Sequence, residues 1–292
     1  MDTTKRIFAL GFFDGVHLGH QALLRECTAL AGQRNCQSAA ITFDRHPKAL
    51  FTPEAPPLLS TAQTRTELLR QYGIRDVYTF PVVEEVMSMP WQDFLTELTD
   101  RGAAGFVCGH DFRFGFRGEG TAERLAEACE NCVVVPAQTL DGTLVSSTHI
   151  RTLLESGQME EACRFLGHPH ILSGEVVHGR QIGRTIGIPT ANLLPKPEAV
   201  ALRHGVYACM AYVDRKAYPA VVNVGSRPTV EGKTVKAEAW LLDFDGDLYG
   251  KTLTLAFYAF LRPEKKFDSV TQLQEEILKN TAETRNFFEK SE

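Results

Sequence analysis

From residue 6 to residue 137, short apolar runs alternate with segments of helical period. That alternation constrains the fold more than any other feature of the sequence. The apolar runs are RIFALGFF (6–13), SAAITF (38–43), VYTFPVV (77–83), AAGFVCG (103–109) and CVVVPA (132–137). Between them lie LGHQALLRECTALAG (18–32), TAQTRTELLRQYG (61–73), PWQDFLTELTDRG (90–102) and GTAERLAEACEN (120–131). In the first of these, Leu23, Leu24, Cys27 and Leu30 recur at helical spacing and Gly32 supplies a stop. Thr61 and Gly73 bracket the second as cap and stop. Strands alternating with helices predict a parallel sheet covered by helices. STHIRTLLESGQMEEACRFLG (147–167) then predicts two short helices.

Beyond GHPH (167–170) the pattern changes. The runs ILSGEVVHG, GVYACMAYV, YPAVVNVG, KAEAWLLDF and LTLAFYAFL are rich in valine and tyrosine and broken by glycine. Asp245-Gly246, between two such runs, is a hairpin signal. One helical stretch follows at 269–290. These features predict a small antiparallel barrel with a C-terminal helix. The expected division is 1–168 and 169–292.

The 292 residues suffice for two cores, and the formal net charge of −5 gives no bulk attraction to nucleic acid or anionic membrane. No apolar run is long enough to span a bilayer, and the N-terminus is expected to be a strand, not a signal peptide. Seven scattered cysteines argue against a disulfide framework. The lone Cys129-x-x-Cys132 has no second metal-ligating pair and is expected to be two ordinary thiols, with a redox pair as the alternative. A cytoplasmic location and no protein partner are the expectations.

GFFDGVHLGH (11–20) lies where the first strand ends and the first helix begins. Ligands of open α/β sheets bind at that end, and a helix start attracts phosphate through unpaired N–H groups. His17 and His20 would share one face of the first turn, with Gly15 and Gly19 letting phosphate approach the backbone. Phosphate should raise the histidine pKa values. A metal pair or a plain surface pair is the alternative. In the second half, HGRQIGRTIGIPTANL (178–193) is basic and punctuated by glycine. Gly179 and Gly183 free the backbone to curl around phosphate, and Arg180 and Arg184 add charge. Thr190 and Asn192 offer hard oxygens suited to Mg²⁺. Glu238 shares a period-two face with Trp240 and Leu242.

FDGVHLGH resembles the H-x-G-H signature of the nucleotidylyltransferases, and SSTHIR (146–151) resembles their second phosphate motif. With GHDFRFG (109–115), TFDRHP (42–47), GIPTAN (187–192), NVGSRPT (223–229) and LYG (248–250), the chain resembles the bacterial bifunctional riboflavin kinase/FMN adenylyltransferases over nearly its whole length. The resemblance implies an α/β nucleotidylyltransferase domain (a Rossmann-like parallel sheet) followed by a riboflavin kinase barrel. It implies riboflavin, FMN and ATP as substrates and Mg²⁺ as cofactor. It places His17 and His20 on ATP phosphates, with Ser147, Thr148 and Arg151 on the pyrophosphate side. Asp111 would place nucleotide or flavin, and Glu238 would be the kinase base. Asn223 and Arg262 would approach flavin or nucleotide; for Arg262 an ion pair with a nearby carboxylate is the alternative. Phe12 and Trp240 stand where many members have asparagine and histidine. Retention of only one activity, with the other module binding ligand or regulating, is the second reading.

Overall fold

A computed structural model describes residues 4–178, 187–229 and 232–290. Its backbone contacts divide the chain into two units, 1–149 and 150–292.

The first unit is built on strands β1 (Arg6–Leu10), β2 (Gln37–Phe43), β3 (Asp76–Phe80), β4 (Ala103–Gly109) and β7 (Cys132–Val135). Two short pairs, β5 (Arg113–Phe114) with β6 (Gly120–Thr121) and β8 (Thr139–Leu140) with β9 (Thr143–Leu144), lie outside the main sheet. All five main strands are parallel, in the order β3-β2-β1-β4-β7. The helices are α1 (Leu18–Gln33), α2 (Ala62–Gln71), α3 (Glu84–Met87), α4 (Trp91–Asp100) and α5 (Ala122–Ala128). Every residue of β1 is buried, as a central parallel strand covered on both faces requires. Phe8 and Leu10 pack with Phe94 and Leu98 of α4 and Leu125 of α5. On α1, Leu23, Leu24 and Cys27 are buried, and the Cys27 thiol donates to Ile7 O (3.2 Å). The chain reverses direction across the sheet between β1 and β4, so their carboxyl ends frame the crevice where such sheets take ligands.

Helix α6 (Ser147–Ser156) spans the division, and α7 (Met159–Leu166) follows. Helix α7 packs on β10 (His170–Glu175) and β15 (Thr252–Pro263), and its Cys163 thiol donates to Phe257 O (3.3 Å). Those contacts draw 150–168 to the second unit, whereas the change in sequence pattern falls near 168.

The remaining strands are β11 (Ala191–Leu193), β12 (Gly205–Val213), β13 (Lys216–Thr229) and β14 (Gly232–Leu241). Their antiparallel sheet has the order β10-β15-β12-β13-β14-β11. A bridge between Val177 and Asn192 joins the two edges, so the sheet curls on itself. Tyr207, Cys209, Val222, Val224, Ala237 and Ala239 are buried on the inner face. Helix α8 (Val270–Glu289), capped by Ser269, packs on β12 and β13.

The hairpin expected at Asp245-Gly246 does not form. Strands β14 and β15 are not neighbours, and 242–251 is a ten-residue connection. The tight turn lies instead at Asp214-Arg215, where φ is 50° and 63°, closing β12 on β13 from Val213 to Lys216. That two-residue turn carries no glycine, which is why the sequence conceals it.

Burial holds His170 of β10 neutral, with its pKa pushed down to about 4 by desolvation and by His168. The unfolded chain therefore binds a proton that the folded barrel refuses. Stability is full above the ordinary histidine range and is lost as pH falls from about 6.5 to about 4, by about 3 kcal/mol from this group. Thermal unfolding against pH checks this: His170→Asn should flatten the acid-side loss.

Candidate functional sites

The first site forms where β1 runs into α1. His17 is the N-cap of α1, and its Nδ1 accepts from His20 N (3.4 Å). The two imidazoles stack with centroids 3.6 Å apart and planes at 15°, and Phe13 meets His20 edge-on at 5.3 Å. A Cβ on Gly19 would lie 3.2 Å from the His17 ring, so glycine lets that ring fold over the helix start. Gly15 acts differently from expectation. Its N–H donates to Ser60 Oγ (3.0 Å) and its φ is 77°, so it makes the turn and its amide is already engaged.

Phe13, His17, Gly19 and His20 line one cavity of about 500 Å³, a size suited to a nucleotide-class ligand; Gly15 does not. His17, Gly19, His20, His110, Asp111 and Ser147 share its wall. Ser147 Oγ donates to Asp14 O (3.1 Å), tying the start of α6 to the loop that bears the histidines. Thr148 follows Ser147, and Arg151 lies one helical turn further along α6. The Nδ1 atom of His20 is buried without a hydrogen-bond partner among the described residues. Burial lowers the His20 pKa, and the neighbouring His17 and Arg65 lower it further. Those surroundings hold His20 neutral. His110 is a wall residue that sequence reasoning missed. It follows β4 directly, and its position at the carboxyl end of a strand beside the crevice was the available signal.

The second site is a row across the barrel. Glu238 of β14 is paired in register with Asn192 of β11 on one side and Asn223 of β13 on the other. Cross-strand partners share a face, so two amides flank the carboxylate. This is the outer face, where Trp240 packs with Val206, Val221 and Leu242. Lys236, two residues before Glu238, forms an ion pair with it that sequence reasoning missed. Like residues at period two share a face, and that was the available signal. Thr190 precedes β11 and lines a separate cavity of about 370 Å³ with Phe244, Asp245, Asp247 and Tyr249. Glu238 is not on that cavity's wall. Asp245 and Asp247, expected in a hairpin, instead belong to the connection that shapes it.

Arg262 has the carboxylate partner that its alternative reading named. Its Nε lies 3.2 Å from Glu276 Oε1 and donates to Asn280 Oδ1 (3.1 Å), both on α8. Gly179, Arg180, Gly183 and Arg184 lie outside the described residues. The Cys129 and Cys132 thiols are free, and Cys132 shares a hydrogen bond with Cys108 of the adjacent strand. No cluster of three or more histidine, cysteine or acidic side chains suited to a metal exists among the described residues.

Comparison with known proteins follows the same division. The FAD synthetase family model matches 1–149, and the riboflavin kinase model matches 166–288. A bifunctional riboflavin kinase/FMN adenylyltransferase from Listeria monocytogenes is 33% identical over 295 residues, covering 99% of this chain and 94% of the relative. The protein of that description from Escherichia coli K12 is 34% identical, covering 97% and 92%. A crystal structure from Streptococcus pneumoniae, described as a macrolide-efflux protein, superposes with a TM-score of 0.88 at 31% identity and covers 98% of this chain and 95% of its own. Among the described residues of this chain no helix is long and apolar enough to cross a membrane.

Proposed function

The chain belongs to the bifunctional riboflavin kinase/FMN adenylyltransferase family, and from that premise we propose how its residues divide the two steps. Riboflavin and ATP give FMN and ADP in the barrel; FMN and ATP give FAD and pyrophosphate in the parallel-sheet domain. The working division is 1–168 for adenylyl transfer and 169–292 for the kinase.

In the barrel, the ribityl 5′-hydroxyl oxygen attacks the γ-phosphorus of ATP and ADP leaves. A hydroxyl is a poor nucleophile at neutral pH, and Glu238 takes its proton. Asn192 and Asn223 flank that residue in register. Thr190 and Asn192 fit Mg²⁺, because their neutral hard oxygens match an ion that keeps waters and binds substrate phosphates. When bound, Mg²⁺ would neutralise phosphate charge there. Gly179, Arg180, Gly183 and Arg184 complete the proposal as backbone and side-chain donors to ATP.

In the first unit, an FMN phosphate oxygen attacks the α-phosphorus of ATP. That oxygen is already anionic, so no base is needed; the work lies in bringing two polyanions together. His17 and His20 meet the triphosphate, Ser147, Thr148 and Arg151 meet the departing pyrophosphate, and Asp111 places flavin or nucleotide. Asn223 contributes to flavin placement in the barrel, and Arg262 acts through its anchorage to α8. The absence of a membrane-crossing helix among the described residues, together with the free thiols, supports a cytoplasmic location.

The observation carrying this reading is that the chain has two separate units, each matched by its own family model. Chromatography of products from riboflavin, ATP and Mg²⁺ tests it. FMN should form first and FAD later, with ADP and pyrophosphate both released. Accumulation of FMN alone would leave a kinase with a binding module.

A further inference from the structure

The turn that presents His17 and His20 is strained. Phe13, Gly15 and Val16 have φ of 58°, 77° and 42°. For Phe13 and β-branched Val16 that region is unfavourable. Such a backbone persists only where its surroundings over-determine it. Here they do. Thr42 Oγ1 donates to Phe12 O (2.8 Å), and Gln21 Nε2 donates to Val16 O (2.9 Å). Ser60 Oγ accepts from Gly15 N (3.0 Å). The Asp14 carboxylate accepts from the amides of Leu59 (2.9 Å) and Ser60 (3.1 Å).

Beneath this turn lies Arg65 of α2, with 0% exposure. Its Nε donates to Thr42 Oγ1 (2.9 Å), its Nη1 to Ser60 O (3.3 Å) and its Nη2 to Phe43 O. Its guanidinium carbon stands 4.5 Å from the centre of the Phe12 ring. One side chain therefore grips Thr42 and Ser60, the residues that hold the two ends of the strained turn. Arg65 does not line the cavity.

We propose that Arg65 is a positioning residue for adenylyl transfer, fixing the turn over 12–16 through Thr42 and Ser60 and so aiming His17 and His20 at the triphosphate. The proposal rests on the assignment of those histidines to phosphate. A buried cation is costly, and an apolar side chain would fill the space more cheaply. What it could not supply is three donors in a fixed fork. Burial lowers the Arg65 pKa to about 10, with Asp14 and Asp44 opposing the shift, so the group remains a cation at neutral pH. Its charge, with that of His17, also bears on His20.

The test uses the full chain with Arg65→Met, Arg65→Lys and Thr42→Val, each confirmed folded by thermal unfolding. Riboflavin phosphorylation by the same molecule is the internal control. Arg65→Met should lower kcat for FMN-to-FAD conversion by about tenfold or more, because small misplacements of reacting groups are costly, with kinase turnover within about twofold. Lysine should not restore kcat, since a point charge cannot serve three acceptors. Thr42→Val breaks the link to Phe12 without opening a large cavity and should lower kcat in the same direction. The His20 imidazole, followed by NMR, should titrate higher in Arg65→Met and unchanged in Thr42→Val. Should Arg65→Met fail to fold, Thr42→Val decides. Folded variants that keep kcat within about twofold of the parent overturn the proposal while His20→Ala remains inactive. If His20→Ala itself makes FAD normally, the underlying phosphate assignment is what fails.

Discussion

Glu238→Gln should abolish conversion of riboflavin to FMN, with a loss of about 10²- to 10⁴-fold in kcat, and leave FMN-to-FAD conversion within about twofold of the parent. Glutamine keeps the shape of the side chain, but it cannot accept a proton at neutral pH. The loss should therefore appear in kcat, with a smaller change in KM for riboflavin or ATP. The position favours this reading over a solvated strand carboxylate. Glu238 sits mid-row between Asn192 and Asn223, on the face where Trp240 packs. Lys236 forms an ion pair with that carboxylate. Chromatography of products, starting once from riboflavin and once from FMN, reads both steps in one preparation. Loss of both steps in a folded protein would show that the two units do not divide the chemistry.

The sequence disclosed what depends on local periodicity. The five parallel strands were visible as apolar runs because each is short, and β1 is buried along its whole length. The loop over 11–20 was visible because two histidines and two glycines gather at a strand-to-helix junction. Its construction was not visible. Gly15 looked like a place for phosphate and proved to be a turn whose amide is held by Ser60, 45 residues away. Arg65 reads as an ordinary helical arginine in a polar segment, and only the tertiary fold brings it under Phe12.

The barrel was harder to read for a related reason. Asp245-Gly246 is a strong local turn signal, yet its flanking strands never pair, because pairing order is set by the whole sheet. The true hairpin at Asp214-Arg215 uses two non-glycine residues at positive φ, a conformation that local propensity disfavours. Likewise the Asn192–Glu238–Asn223 row joins residues from three strands, and register alone assembles it. Arg262 shows the opposite case. The resemblance placed it near flavin or nucleotide with a carboxylate ion pair as the alternative, and the fold supplies that pair in Glu276, beside Asn280.

His20→Ala should lower FMN-to-FAD conversion by about 10²- to 10³-fold, the cost of removing one preorganised donor to a developing charge, while riboflavin phosphorylation continues unchanged. The geometry adds a proton signature. The His20 Nδ1 is buried without a partner among the described residues, and burial, His17 and Arg65 all disfavour its charged form. A triphosphate beside the stacked pair supplies opposite charge and acceptor oxygens, which favour the protonated imidazole. The pKa is therefore low in the free protein and higher in the complex, so between those two values binding must take up a proton. Calorimetry of ATP binding in buffers of different ionisation enthalpy measures that uptake directly. The observed enthalpy should vary with the buffer in the parent and lose that dependence in His20→Ala. An enthalpy independent of buffer in the parent would mean that His20 meets the nucleotide uncharged, acting as a neutral donor and not as a switchable cation.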